Sequence, residues 1–284
     1  MLKLFTLYVY LQTLFCGCSA DVRRSGFERI RSAYHVKIER IGRLDKSIKE
    51  SSGLARASDS TFWTHPDGGP DNVLYLFNLD GELLQSITLP LANKDWEDLA
   101  QDTAGNLYIG DFGNNFNNRH DLAVYKLDGV TRQVVANMQF KFADQTEFPP
   151  AYTQRHFDTE AFFYRSDSLF LFTKSRALKG FTKLYSLPAQ SGIYTLKPKE
   201  ALQIKSPITA AASAPDQKGF SLLGYGRLYV FEPESGKVSL KSKRYCLTVG
   251  RTGQAEALLY LSATQLLLTN ENGKLYMVTL EKKK

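Results

Sequence analysis

The chain reads as all-β, built from one repeated four-stranded unit, on three observations. From Tyr34 onward, short runs rich in Leu, Tyr, Phe, Val and Ile alternate with Gly, Asp, Asn and Pro turns, and no segment keeps a helical period for three turns. The stretch "NVLYLFNLDGELLQSITL" sets Asp80-Gly81 between two apolar runs, a strong hairpin signal, and "LYVFEPESGKVSL" and "LLLTNENGKLYMV" repeat the idea. Finally, a short opening motif recurs at Ser52-Gly53-Leu54, Glu97-Asp98-Leu99, Glu160-Ala161-Phe162, Ala210-Ala211-Ala212 and Glu256-Ala257-Leu258, at intervals of 45, 63, 50 and 46 residues. Each is followed by a second apolar run: "STFWTH", "NLYIGD", "SLFLFT", "GFSLLG" and "QLLLTN". Such spacing, with about four strands per unit, predicts a five-bladed β-propeller.

In chain order, the first residues are "MLKLFTLYVYLQTLFCGCSA": Lys3 leads a short apolar core, Leu4 to Phe15, too short to span a bilayer comfortably. The run into Cys16-Gly17-Cys18 resembles a bacterial lipoprotein signal. That resemblance implies a signal peptide over residues 1–18, ending at a lipidated Cys18 that carries a palmitate-type chain and anchors the protein to a membrane of the cell envelope. Ordinary signal cleavage, giving a secreted or periplasmic chain, is the alternative; either way the protein is exported. Loss of residues 1–17 removes Cys16 and leaves Cys246 beside an acylated Cys18, so no internal disulfide is expected. Residues 19–33 read as a polar tether, and residues 34–284 as a single propeller domain. The last unit, Gln254 to Leu280, has three strands. "YHVKIERIGRL" at 34–44 alternates well enough to supply the fourth and so close the ring without an open edge. The 63-residue interval leaves a six-bladed alternative, with extra strands near 130–145.

Composition is that of an ordinary globular chain, 43% hydrophobic and 23% charged, with net charge +7 spread along its length. No nucleic-acid motif accompanies the scattered Lys and Arg, so no nucleic-acid partner is expected, and a monomer is. G-x-S-x-G, H-E-x-x-H, a C-x-x-C pair beyond residue 18 and glycine-rich phosphate loops are all absent; "GYGRLYV" reads as a turn between strands.

The repeat itself implies a site. The first strand of every blade lines the central channel, so Ser52, Glu97, Glu160, Ala210 and Glu256 should converge there. Carboxylates facing one another in a partly desolvated channel repel strongly, and a hard cation, Ca²⁺ above all, relieves this. Ser52, Glu97, Glu160 and Glu256 are therefore candidate metal ligands; for each taken singly, capping of neighbouring backbone is the competing reading. Asp98 points the other way and is expected to accept from backbone amides. Loops ending the second strands gather at one mouth. They bring candidate catalytic residues His65, Asp67 and Asp111, and candidate ligand-binding residues Asn114, Lys174 and Arg176, while Asp158 precedes the third inner strand. Asp-Gly and Gly-Asn-Asn also form turns for their own sake.

The order Ser, Glu, Glu, small residue, Glu on a five-bladed frame resembles the channel ring of the calcium-activated nucleotidases, secreted or membrane-anchored apyrases. The resemblance implies Ca²⁺ on Ser52, Glu97, Glu160 and Glu256, and a phosphoester or phosphoanhydride hydrolase; Ala210 departs from it, since the family has a hydroxyl there. The blocks Trp63-Thr64-His65-Pro66-Asp67, Trp96-Glu97-Asp98-Leu99-Ala100 and Tyr108-Ile109-Gly110-Asp111-Phe112-Gly113-Asn114-Asn115 are similar to those of exported bacterial propellers, a group that implies a fold and no settled activity. The leading expectation is a Ca²⁺-holding propeller that binds a small-molecule, glycan or protein ligand at its mouth. The Ca²⁺-dependent hydrolase and a structural envelope module are the alternatives, because a scaffold shared with an enzyme does not confer its activity.

Overall fold

The computed structural model, describing residues 17–177, 180–234, 236–250 and 252–284, is a five-bladed β-propeller. A short helix α1 (Ser19–Ser25) and β1 (Glu28–Arg29) precede the long β2 (Tyr34–Arg43). Blade one is β3 (Ala55–Arg56), β4 (Thr61–Thr64), β5 (Val73–Asn78) and β6 (Leu83–Thr88); blade two is β7 (Trp96–Gln101), β8 (Leu107–Asp111), β9 (Leu122–Leu127) and β10 (Val134–Phe142). Next come β11 (Asp158–Arg165), β12 (Ser168–Lys174), β13 (Phe181–Pro188), β14 (Gly192–Leu196) and β15 (Glu200–Gln203). All but β14 form blade three; β14 crosses to pair in parallel with β10, Met138 opposite Gly192. Blade four is β16 (Ile208–Ser213), β17 (Phe220–Gly224), β18 (Arg227–Glu232) and β19 (Lys243–Thr248), and blade five is β20 (Ala255–Tyr260), β21 (Gln265–Asn270) and β22 (Lys274–Lys282).

Closure follows the expected route. β2 pairs antiparallel with β22, from Tyr34 opposite Lys282 to Arg43 opposite Lys274. Residues 130–145 supply the outer strand of blade two rather than a sixth blade, because β10 is nine residues long and carries β14 as well. Each of the five apolar clusters sits between two adjacent blades, as where Trp63 and Leu74 of blade one meet Trp96 and Ile109 of blade two. Burying both faces of every blade in this way is the main stabilising term, at about 25 cal/mol per Å² of apolar surface removed from water.

The start of the chain departs from expectation. Residues 19–33 are no tether: Phe27 and Ile30 are buried in the clusters beside blade four, and β1 adds a parallel strand outside β19. Asp21 of α1 is buried. It accepts from the Lys205 amide at 2.7 Å and the Tyr229 hydroxyl at 3.3 Å, and lies 3.7 Å from the Arg227 guanidinium. Cys18, just ahead of α1, forms a disulfide with Cys246 of β19, which corrects the expectation of no internal disulfide. It also corrects Cys18 as a lipidation site, because a thioether to lipid and a disulfide require the same Sγ. The remainder of the expected signal, residues 1–16, lies outside the described residues.

At the axis the inner strands share one acceptor. Asp98 is 0% exposed. Its carboxylate takes the amides of Leu99 at 2.8 Å, Phe162 at 3.1 Å and Ala211 at 3.4 Å, one from each inner strand of blades two, three and four. Burial pushes the Asp98 carboxyl well above the ordinary range while those amides pull it back. Gly53 of blade one closes in so tightly that a Cβ there would stand 2.4 Å from the Leu99 nitrogen.

Two expectations follow. Asp98→Ala orphans three buried amides and should lose about 3 kcal/mol or more, at about 1–3 kcal/mol for each unsatisfied donor. Asp98→Asn, which keeps one acceptor oxygen, should fall between it and the parent in urea denaturation; an Asp98→Ala chain as stable as the parent would sink the hub. Reducing the Cys18–Cys246 disulfide, which closes 228 residues, should remove up to about 5 kcal/mol on chain-entropy grounds. Trypsin should then cut at Arg23–Arg24 in the reduced protein well before it does in the oxidised one, and equal rates would argue against α1 being held by the bridge.

Candidate functional site

One end of the channel collects charged groups from four blades. Each of the long inner strands slips register near its start: between Trp96 and Asp98, Thr159 and Ala161, Ile208 and Ala210, and Ala255 and Ala257. The extra residue at each slip is Glu97, Glu160, Thr209 or Glu256, since a bulge sets two residues against one and bends the strand locally. Equivalence across blades therefore runs through Thr209, one residue before the Ala210 predicted, so blade four does carry a hydroxyl at this position. The two hydroxyls clip blades together. Ser52 donates to the Glu97 carbonyl at 2.6 Å, and Thr209 donates to the Ala255 carbonyl at 2.7 Å.

The predicted ring of metal ligands is answered in large part by cations of the chain itself. Lys174, at the end of β12, donates to Glu160 at 2.7 Å and to the Tyr225 hydroxyl at 3.4 Å, and Tyr225 donates to Glu256 at 3.1 Å. Arg176 bonds Asp158 at 2.5 Å and Glu160 at 2.8 Å, and also reaches Asn115. Two carboxylate groups have oxygens close enough to share an ion, Asp67–Asp95–Glu97 and Glu97–Asp158–Glu160, each within 4.8 Å. Ser52 and Glu256 belong to neither. In the second group Lys174 and Arg176 already neutralise Asp158 and Glu160.

The first group has no direct ion pair among the described residues, only the more distant pull of Arg119 on Asp95 and of Lys174 on Asp67. Among the described residues, no hydrogen bond or ion pair is made to the carboxylate of Asp95 or of Glu97, though Glu97 is only 6% exposed. Asp67 accepts the Gly68 amide at 2.7 Å. Two glycines make the space. A Cβ at Gly113 would stand 2.2 Å from Glu97 Oε1 and 2.4 Å from Asp95 Oδ2, and one at Gly68 would stand 2.3 Å from Asp95 Oδ1. Burial pushes Glu97 well above the usual carboxylate range, and Glu160, Asp67 and Asp95 push it further. Burial likewise raises Asp95 to about 6, with Asp67 adding to it, raises Glu271 to about 7, and raises Glu256 to about 8 against the pull of Lys174.

Other predicted residues position this cradle. Asp111 pairs with Arg119 at 3.0 Å and accepts the Asp95 amide at 3.2 Å, while Arg119 holds the Gly113 carbonyl at 2.8 Å. Asn114 organises its loop: its side-chain oxygen takes the Asn118 and Arg119 amides, and its own amide donates to Asp158 at 2.8 Å. His65 is 0% exposed, edge-on to Trp96, with Nδ1 2.7 Å from the Pro66 carbonyl, and burial lowers it to about 4. Both candidates therefore stand in scaffold contacts, Asp111 on Arg119 and His65 through Nδ1, while the buried His65 Nε2 has no hydrogen-bond partner among the described residues. Asp67 does reach the cradle. Asp95 was missed, although it and Glu97 straddle Trp96 at the two-residue spacing that puts strand side chains on one face.

No protein-family model and no curated protein sequence matches this chain. Solved structures with a similar fold include virginiamycin B lyase from Staphylococcus aureus, at 11% identity and TM-score 0.41 over 80% of this chain and 65% of that one. Others are the PQQ-bound aldose sugar dehydrogenase from Streptomyces coelicolor, at 9% identity and TM-score 0.49 over 87% and 99%, and U3-55K, at 8% identity and TM-score 0.44 over 85% and 98%. The chain spans about two thirds of the lyase, and at these identities the likeness goes no further than the β-propeller fold.

Proposed function

We propose that this propeller is a cation-dependent binding module, with Ca²⁺ held by Asp67, Asp95 and Glu97 at the channel mouth. The supporting observation is three carboxylates within 4.8 Å, without a cationic partner among the described residues and with glycines where any Cβ would fill the cradle. An all-carboxylate donor set suits a hard cation, and Ca²⁺ takes such oxygens readily. Three protein ligands leave several of its six to eight positions for water and for oxygens of a polar ligand arriving at the mouth, whether small molecule, glycan or protein. The Cys18–Cys246 disulfide supports an exported setting, since such bridges persist in oxidising compartments.

Calorimetric titration of Ca²⁺ into the chelator-treated chain tests the reading. Binding should be lost in Glu97→Gln and in Asp95→Asn and persist in Glu256→Gln. Loss in Glu256→Gln with retention in Asp95→Asn would return the ion to the Ser52–Glu97–Glu160–Glu256 ring, and no binding by the parent would end the proposal.

A pH dependence follows from the raised carboxyls. A group whose carboxyl titrates higher in the folded than in the unfolded chain takes up its proton on folding, so stability falls as pH rises between the two values. Metal-free protein should therefore melt progressively lower from pH 5 to pH 8, the window set by Asp95 at about 6, Glu271 at about 7 and Glu256 at about 8. Added Ca²⁺ should raise the melting temperature more at pH 8 than at pH 5, and a flat profile for the metal-free chain would contradict the assignment.

A further inference from the structure

Lined by Lys174 and Arg176, and not by Asp67, Asp95 or Glu97, a cavity of about 460 Å³ lies between α1, blade three and blade four. That volume is in the range of small-molecule sites, about 300–1,000 Å³. Its charge is one-sided. Among the described residues Asp21 is the only carboxylate in its lining, and Asp21 is already engaged by Lys205 N, Tyr229 and Arg227. Against it stand Arg24 and Lys205 at the rim, both exposed and in no ion pair among the described residues, with Lys174 and Arg176 forming the inner wall. Arg176 makes its hydrogen bonds through Nε and Nη2, leaving Nη1 without one among the described residues. Aromatic faces complete the wall: Tyr152, more than half exposed, and Phe181.

We infer that this cavity binds a small organic anion, a ring bearing a carboxylate or a phosphate. The anionic group meets Arg24, Lys205 and the Nη1 edge of Arg176, where charge-assisted hydrogen bonds are strongest. The ring lies against Tyr152 and Phe181. A neutral sugar or an uncharged apolar molecule would leave the cations unanswered. The ligand does not touch Asp67, Asp95 or Glu97, so this inference does not depend on the Ca²⁺ site.

The test is calorimetry of the full disulfide-bonded chain in excess chelator, with glucuronate and glucose 6-phosphate as the charged probes and glucose as the neutral one. At least one charged probe should bind at millimolar concentration while glucose does not, and which of the two is tighter separates a sugar acid from a sugar phosphate. The surface double variant Arg24→Glu, Lys205→Glu should weaken that binding by about tenfold or more, equivalent to about 1.4 kcal/mol. Failure of both charged probes to bind, equal binding of glucose, or a double variant as good as the parent would each overturn the inference.

Discussion

The ring is held at its axis by a single carboxylate. When five twisted sheets converge, their innermost strands have no further strand to pair with, and their amides face one another across a space too narrow for water. Asp98 answers three of those amides at once, from blades two, three and four. Burying a carboxyl group is costly, and the cost is tolerable only where the donors are already fixed in place. The same narrowness dictates Gly53, whose hydrogen faces the Leu99 nitrogen from blade one, and a buried His65 behind it. The conflict posed by two adjacent acidic residues at the start of β7 is thus resolved by opposite roles. Asp98 belongs to the scaffold, and Glu97 belongs to the mouth.

The mouth inherits its asymmetry from this arrangement. Every bulge turns one residue toward the channel end, and three of the four bulge residues are glutamates. A chain that buried them all without compensation would not fold stably, since an uncompensated buried charge costs about 3–5 kcal/mol. Lys174 and Arg176 relieve blade three, and Tyr225 links Lys174 to Glu256 in blade five. Among the described residues no cation pairs directly with Asp67, Asp95 or Glu97, and Arg119, committed to Asp111 and Asp121, eases Asp95 only from a distance. The residual negative charge is therefore localised on Asp67, Asp95 and Glu97, within a cradle that two glycines keep open. Retaining such a cluster is a standing penalty on the metal-free fold, and a penalty of that kind is understandable where binding offsets it.

Much of the architecture was legible because it rests on period. The alternation in residues 34–44 and the missing strand of the last unit pointed to the same closure, and the structure pairs Tyr34–Arg43 with β22 as that reading requires. The bulges were not legible. A one-residue slip leaves the apolar pattern nearly unchanged, so alignment on apolar runs alone placed Ala210 where Thr209 belongs. Asp95 escaped because it precedes the strand whose pattern drew attention, although its spacing from Glu97 was visible. Lys174 and Arg176 were read as mouth-loop residues and Asp158 as preceding the third inner strand, but the pairing of Arg176 with Asp158 and of Lys174 with Glu160 depends on the register of β11 against β12, which sequence spacing does not carry. Cys18 misled most, since a cysteine after a short apolar run satisfies both a lipid-attachment pattern and a disulfide, and only proximity to Cys246 separates them.

That disulfide also changes what the N-terminal segment does for the molecule. Residues 18–43 engage the propeller at three successive places: the bridge from Cys18 to β19, the parallel pairing of β1 with β19, and the antiparallel pairing of β2 with β22. Blades four and five are thereby strapped together along their outer edges, across the apolar cluster that holds Ile30 between them. A ring closed only by β2 would leave the edge of blade four exposed. The parallel β1 covers it, and the disulfide fixes α1 against blade four. Because α1 forms one wall of the cavity lined by Lys174 and Arg176, the feature that closes the ring also shapes that basic cavity.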